Sequence, residues 1–407
     1  MAKRLADKSG QKVRPRPENS GKIKNRQKTD TREEVCKVER KAEKQEESEL
    51  MKQLLRELEK IKEPDQEAGN KARKRFDSVA KPLRSLGVLE DDIVRAAQIT
   101  GTEQVDFGKK AVVIMCADNG IVEEGVSQTG KEVTAVVTAN FTRGESCVCL
   151  MAEQAGAHVF PVDIGVECRL ENLGKKYPLL DRKVRKGTGN FLKEPALTKG
   201  EVAAALKTGM ELVGELKEKG YGLIATGEMG IGNTTTSSAV VTAALGIDPF
   251  LVTGRGAGLD SRGLLKKISV IRKGIELHRP DPHDGIDILS KVGGLDLAGL
   301  AGVFLGGALF RVPVLIDGFI SGAAALMAQR ICSKAPQYMI ASHVSAEPAG
   351  QLILETLGCR PAISAGMCLG EGTGAVALMP LLDMALCIYR KMSTFEEIEI
   401  EEYRPLS

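Results

Sequence analysis

The sequence predicts an α/β protein built on a parallel sheet covered by helices. Three observations predict it. Short β-branched apolar runs alternate with longer helical patterns between residues 101 and 345. Most of these runs end in glycine, acidic or hydroxyl residues, as strands do where such a sheet carries its ligand. Glycine accounts for 44 of 407 residues, aromatics for 4%, and tryptophan is absent, so the core must be built from Ala, Val, Ile and Leu. At roughly 100–200 residues per domain, the length allows two or three domains.

Residues 1–50 hold 15 Lys and Arg against 10 Asp and Glu, with almost no large apolar side chains. Such a segment cannot bury enough surface to offset its ordering entropy, so a disordered charged extension is expected there. Met51 offers an alternative translation start. It opens MKQLLRELEKI, with Leu54, Leu55, Leu58 and Ile61 at helical spacing before a break at Pro64. Helices are expected near Glu67–Val79 and Leu89–Ile99, joined by the Pro- and Gly-punctuated connector KPLRSLGVLE. Strands follow at Ala111–Cys116, His158–Ile164, Tyr221–Thr226, Val312–Ile316 and Gln337–Ala341. Helical patterns separate them at Glu132–Gln154, Glu201–Lys219, Thr235–Leu245 and Gly263–Leu277.

Composition narrows the function. Residues 51–407 hold 42 basic and 44 acidic side chains, so the body is close to neutral and no nucleic-acid surface is expected. Nine irregularly spaced cysteines fit reduced thiols in the cytoplasm, and Cys147 with Cys149 fits a helix face better than a zinc pair. The N-terminus lacks the apolar stretch of a signal peptide. The most apolar region, 295–328, is interrupted by Asp296, Arg311 and Asp317, so no membrane-spanning helix is expected.

Two glycine-rich strings stand at expected strand or helix ends. In GEMGIGNTTT, Gly230 and Gly232 let backbone approach a ligand, and the N–H groups at Asn233 and Thr234 open a helix suited to phosphate. Its spacing is neither a dinucleotide fingerprint nor a P-loop, and Glu228 lies inside it. TGRGAG, with Gly254, is followed by Lys266 and Lys267, which serve either a solvated face or an anion. Asp317 and Gly318, ending a strand, serve either a ribose or a helix cap. In LGEGTGA, Glu371 stands alone between glycines among apolar residues, where desolvation would raise its pKa as a general base requires. His343 and Glu347 in SHVSAEP could line the same site, although a structural histidine is the plainer reading.

ADNGIVEEGVSQTGKEVT, GEMGIGNTTT, PDPHDGIDILSKVGGLDLAGLAG, VPVLIDGF, SHVSAE and LGEGTGA occur in this order. Over about residues 51–395 the chain resembles the nicotinate-nucleotide–dimethylbenzimidazole phosphoribosyltransferase family. The resemblance implies transfer of phosphoribose from nicotinate mononucleotide to a benzimidazole-type base, giving an α-ribotide and nicotinate for cobalamin nucleotide-loop assembly. It implies that Glu371 is the base, that Glu228 shares its pocket, that Lys267 and Asp317-Gly318 hold the phosphoribosyl group, and that Thr129 faces the aromatic base. It further implies a homodimer with a Rossmann-like sheet over 101–345 and a smaller helical domain joining 51–100 to 346–407. No cofactor and no metal are expected, since the leaving ring nitrogen becomes neutral and one carboxylate suffices for the azole proton. Asn119 and Arg84 depart from the family pattern, where His and Gly are usual. Two alternatives compete: the same chemistry on adenine, a phenolic or a hydroxybenzimidazole, and a non-catalytic nucleotide-binding regulator.

Overall fold

The computed structural model describes residue 45 and residues 47–403. The expected charged extension over 1–50 therefore lies outside the described residues, apart from 45 and 47–50, which are helical. The described residues from 50 onward form one compact unit.

Its centre is a six-stranded, wholly parallel sheet of β1 Lys109–Ala117, β2 Ala157–Gly165, β3 Leu180–Asp181, β4 Tyr221–Met229, β5 Val314–Ile316 and β6 Met339–Ala341, ordered β3-β2-β1-β4-β5-β6. The period-two alternation of β1 divides the core. Ala111, Val113, Met115 and Ala117 face one apolar cluster, and Val112, Ile114 and Cys116 face the other. Helices Lys199–Glu218 and Leu295–Phe310 pack into the first cluster. Gln66–Ser78, Val88–Thr100 and the C-terminal Thr373–Lys391 pack into the second through Phe76, Ile93, Leu378 and Tyr389. Helices from both ends of this unit thus cover one face of the sheet.

Four differences from the sequence expectation have physical causes. The helix expected over Glu132–Gln154 is two, Glu132–Arg143 and Cys147–Gln154, because Gly144 takes a left-handed C-cap and Ser146 caps the second helix. Residues 337 and 338 belong to a 3-10 turn, Ala335–Tyr338, so β6 begins at Met339. The apolar region resolves into Leu295–Phe310, β5 and Phe319–Ile331; a helix apolar all round has no period to read and is simply buried. Finally, Thr373–Lys391 has the length and apolarity of a spanning helix, which the sequence expectation missed. Its residues Ala375, Val376, Leu378, Met379 and Leu382 are buried in the protein core.

Candidate active site

Parallel order puts the carboxyl ends of β4, β5 and β6 on one edge, and the polar groups at and beyond them line a cleft of about 250 Å³. Glu228 closes β4, Asp317-Gly318 follows β5, and His343 and Ser345 follow β6. The loop 368–371 descends over them from the start of the C-terminal helix.

That loop has an unusual backbone. Gly370, Glu371 and Gly372 have φ of 89°, 62° and 99°, so three successive residues are left-handed. For the glycines this is cheap, and for Glu371 it costs of the order of 1–3 kcal/mol. Asp317 holds the turn in place. Its Oδ1 accepts the N–H of Ala375 at 3.0 Å and its Oδ2 that of Gly372 at 3.2 Å. Asp317 is thus a cap, for the helix that follows Glu371 rather than its own. Gly227 lets the turn approach β4, since a Cβ there would stand 2.2 Å from the carbonyl oxygen of Glu371.

The two glutamates differ in environment. Glu228 is buried, and burial with the neighbouring charges of Asp296 and Asp317 pushes its pKa up to about 8. The Asn233 side-chain amide donates to Glu228 Oε2, and the Glu371 backbone N–H donates to Oε1 at 3.4 Å. Glu371 is only partly buried. Burial raises its pKa above the ordinary carboxylate range, while the Val148 N–H, donating to Oε2 at 3.3 Å, opposes that rise. Val148 belongs to the first turn of Cys147–Gln154, where a helix favours negative charge.

A buried cation completes the polar set. Lys267 Nζ donates to Thr234 Oγ1 at 2.8 Å and to the Gly254 carbonyl at 3.2 Å, both neutral. Burial lowers its pKa to about 8, and Glu347 partly offsets this. Phe319, Ile320 and the exposed Leu369 give the cleft apolar walls suited to a flat ring.

A phosphoribosyltransferase family model matches residues 61–400. The nicotinate-nucleotide–dimethylbenzimidazole phosphoribosyltransferase of Ruminiclostridium cellulolyticum is 47% identical over 346 residues, covering 85% of this chain and 97% of the relative. That of Acetivibrio thermocellus is 48% identical over 352 residues, covering 86% and 99%. The crystal structure of CobT from Thermus thermophilus superposes with a TM-score of 0.77 at 39% identity, over 83% of this chain and 100% of that one. This chain belongs to the nicotinate-nucleotide–dimethylbenzimidazole phosphoribosyltransferase family.

Of the site residues expected for a phosphoribosyltransferase of this family, Glu228, Gly230, Asn233, Thr234, Asp317, Gly318 and Glu371 share the cleft, and Lys267 reaches it through Thr234. Gly254 contributes its carbonyl to Lys267. Gly232 instead lines an adjoining cavity of about 70 Å³ with Ser127, Gln128 and Arg255. Thr129 lines neither; it is exposed on the loop just beyond Gln128, whose amide donates to the Gly258 carbonyl. His343 and Glu347, whose role the motif left open, do line the cleft. Sequence reasoning missed Asp296 as a neighbour of Glu228, although one acid in an otherwise apolar helix was its signal.

Proposed function

We propose that this enzyme transfers the phosphoribosyl group of nicotinate mononucleotide to 5,6-dimethylbenzimidazole or a related base, releasing nicotinate and the α-ribotide 5′-phosphate for cobalamin nucleotide-loop assembly. The supporting observation is one cleft lined by two carboxylates and by Thr234, behind which a buried lysine is held by neutral partners. Lys267, Thr234 and the backbone at the start of Asn233–Leu245 bind the phosphate. The glycosidic C1′–N bond breaks with its electron pair passing to the nicotinate ring nitrogen, which loses its positive charge. An azole nitrogen attacks C1′ from the opposite face, which inverts β to α, and the proton on the other azole nitrogen passes to Glu371. The apolar walls hold both rings in line across the ribose, and this positioning supplies much of the rate. The resemblance to the family supports a cytoplasmic homodimer.

Incubating the protein with nicotinate mononucleotide and a panel of dimethylbenzimidazole, hydroxybenzimidazole, adenine and a phenolic, with products identified by mass spectrometry, tests the proposal. Dimethylbenzimidazole ribotide is the expected leading product. Tight nucleotide binding with turnover no faster than the protein-free control would make the chain a regulator instead.

A further inference from the structure

His343 lines the cleft, yet the transfer step above gives it no task. It follows β6 and is almost fully buried. Two glycines border its ring. A Cβ on Gly374 would stand 1.9 Å from Nδ1 and 2.1 Å from Cε1, so the imidazole packs directly on the first turn of Thr373–Lys391. A Cβ on Gly318 would stand 3.7 Å from Cε1 and 3.8 Å from Nε2. The other edge of the ring therefore borders the space that Gly318, itself a wall of the cleft, leaves open.

The hydrogen bonds around the ring fix where its proton sits. Ser342 Oγ lies 2.6 Å from the carbonyl oxygen of Ile316, and two oxygens come so close only with a proton between them. The one hydroxyl proton of the serine is thus donated to Ile316. Ser342 Oγ also lies 3.0 Å from His343 Nδ1, where it is left to accept. Nδ1 therefore carries the ring proton, and in the neutral imidazole Nε2 is bare. Nε2 has no hydrogen-bond partner among the described residues, and it is not one of the polar atoms sealed off without a partner. Its lone pair is open to the cleft.

A bare nitrogen selects a donor. At neutral pH nicotinate mononucleotide presents a carboxylate and a largely dianionic phosphate, both acceptors, so its donors are its two ribose hydroxyls. The azole N–H of the incoming base belongs with Glu371. That carboxylate takes the Val148 N–H of a helix packed on β2, whereas His343 ends β6, the edge strand on the opposite side of the sheet. We propose that His343 is a specificity-determining residue whose bare Nε2 accepts a hydrogen bond from a ribose hydroxyl of the nucleotide, beside Asp317-Gly318. The nucleotide is taken from the transferase reading above; the placement of the ring proton is independent of it. Ser342 is the positioning residue that keeps the proton on Nδ1.

The test is calorimetric binding, without acceptor base, of nicotinate mononucleotide and its 2′-deoxy and 3′-deoxy forms to the full chain. Wild type should bind one of the deoxy forms roughly 3–10-fold more weakly than the parent, the value of one neutral hydrogen bond. His343→Phe, which keeps a flat ring without the acceptor, should bind that form and the parent alike. Equal binding of all three by wild type overturns the proposal, as does discrimination that survives in His343→Phe. Nitrogen NMR of the histidine-labelled empty protein at pH 8 reads the ring directly, the His343 signal being the one of four that His343→Phe lacks. It should show Nε2 bare and Nδ1 protonated, and Ser342→Ala should mix the tautomers and narrow the discrimination. A proton on Nε2 in wild type, in a neutral or a charged ring, overturns the proposal. If His343→Phe does not fold, Ser342→Ala and the wild-type tautomer decide. None of these measurements needs turnover, so failure to form ribotide with the discrimination intact would count against the transferase reading alone.

Discussion

Glu228 Oε1 accepts the backbone N–H of Glu371 at 3.4 Å, so the acid at the end of β4 helps to seat the backbone of the acid in the loop above it. One carboxylate is placed by burial, the other by a turn, and the hydrogen bond joins them. Their substitutions should therefore separate cleanly.

Glu371→Gln keeps the shape of the side chain and its acceptor for Val148 but cannot take the azole proton. We expect kcat to fall about 10²–10⁴-fold with little change in nucleotide affinity. Burial raises the Glu371 pKa, so the acidic limb of the wild-type kcat profile should lie above the ordinary glutamate range, with activity rising as pH rises through it. Steady-state kinetics over pH checks this; near wild-type kcat in Glu371→Gln would move the base elsewhere.

Lys267→Ala removes the charge proposed to hold the phosphate already in the ground state. The expected signature is a raised KM for nicotinate mononucleotide with a smaller change in kcat. Because the empty protein holds Lys267 at about 8, wild-type nucleotide affinity should fall as pH rises past that value, and it should weaken with salt. Calorimetric titration at several pH values and ionic strengths measures both.

Glu228→Gln should stabilise the empty protein in a pH-dependent way. The folded pKa is about 8 against an unfolded value near 4.5, so the folded state holds the extra proton between them and wild-type stability is lost as pH rises through that window. The variant escapes this loss. Its advantage should be on the order of 1 kcal/mol at pH 5 and on the order of 4 kcal/mol at pH 8, read from denaturant unfolding. An advantage that is flat with pH would mean that Glu228 titrates normally.

Gly227→Ala places a methyl group 2.2 Å from the carbonyl oxygen of Glu371, against backbone that cannot rotate away. The turn must lift, misplacing the base by a fraction of an ångström or more. The expected result is a loss of kcat of at least about 10-fold, with a destabilisation of roughly 1–3 kcal/mol. Wild-type kcat in a folded Gly227→Ala protein would show that the turn is not held against β4.

The legible parts of the molecule were those with a period or a punctuation mark. Strands β1, β2 and β4 announce themselves as β-branched runs closed by Gly, Asp or Glu, and the cleft follows because parallel order brings the closure of β4 to the same edge as those of β5 and β6. Leu295–Phe310 was not legible as a helix, since burial on all sides leaves no polar stripe to mark a face. The two-residue β3 pairs only through Leu180 and Asp181, too short for any alternation. In the site, Glu371 and Glu228 stood out because acids among glycines are conspicuous, whereas Asp317 left two roles open. Only the folded chain shows that its carboxylate holds N–H groups 55 and 58 residues away. Thr129 was placed by analogy alone, and analogy does not fix the direction of an exposed loop.

The left-handed run at Gly370, Glu371 and Gly372 also limits how this stretch of chain can vary in length. Most surface loops absorb an extra residue by bulging outward. Here the turn is clamped by β4 beneath it and by Asp317 behind it, and each of its three residues has its own backbone partner or close neighbour. One residue inserted or deleted would rotate the carboxylate off the cleft and present a different amide to Asp317. Homologous chains should therefore tolerate changes of side chain around Glu371 far more readily than any change in the number of residues between Leu369 and Thr373.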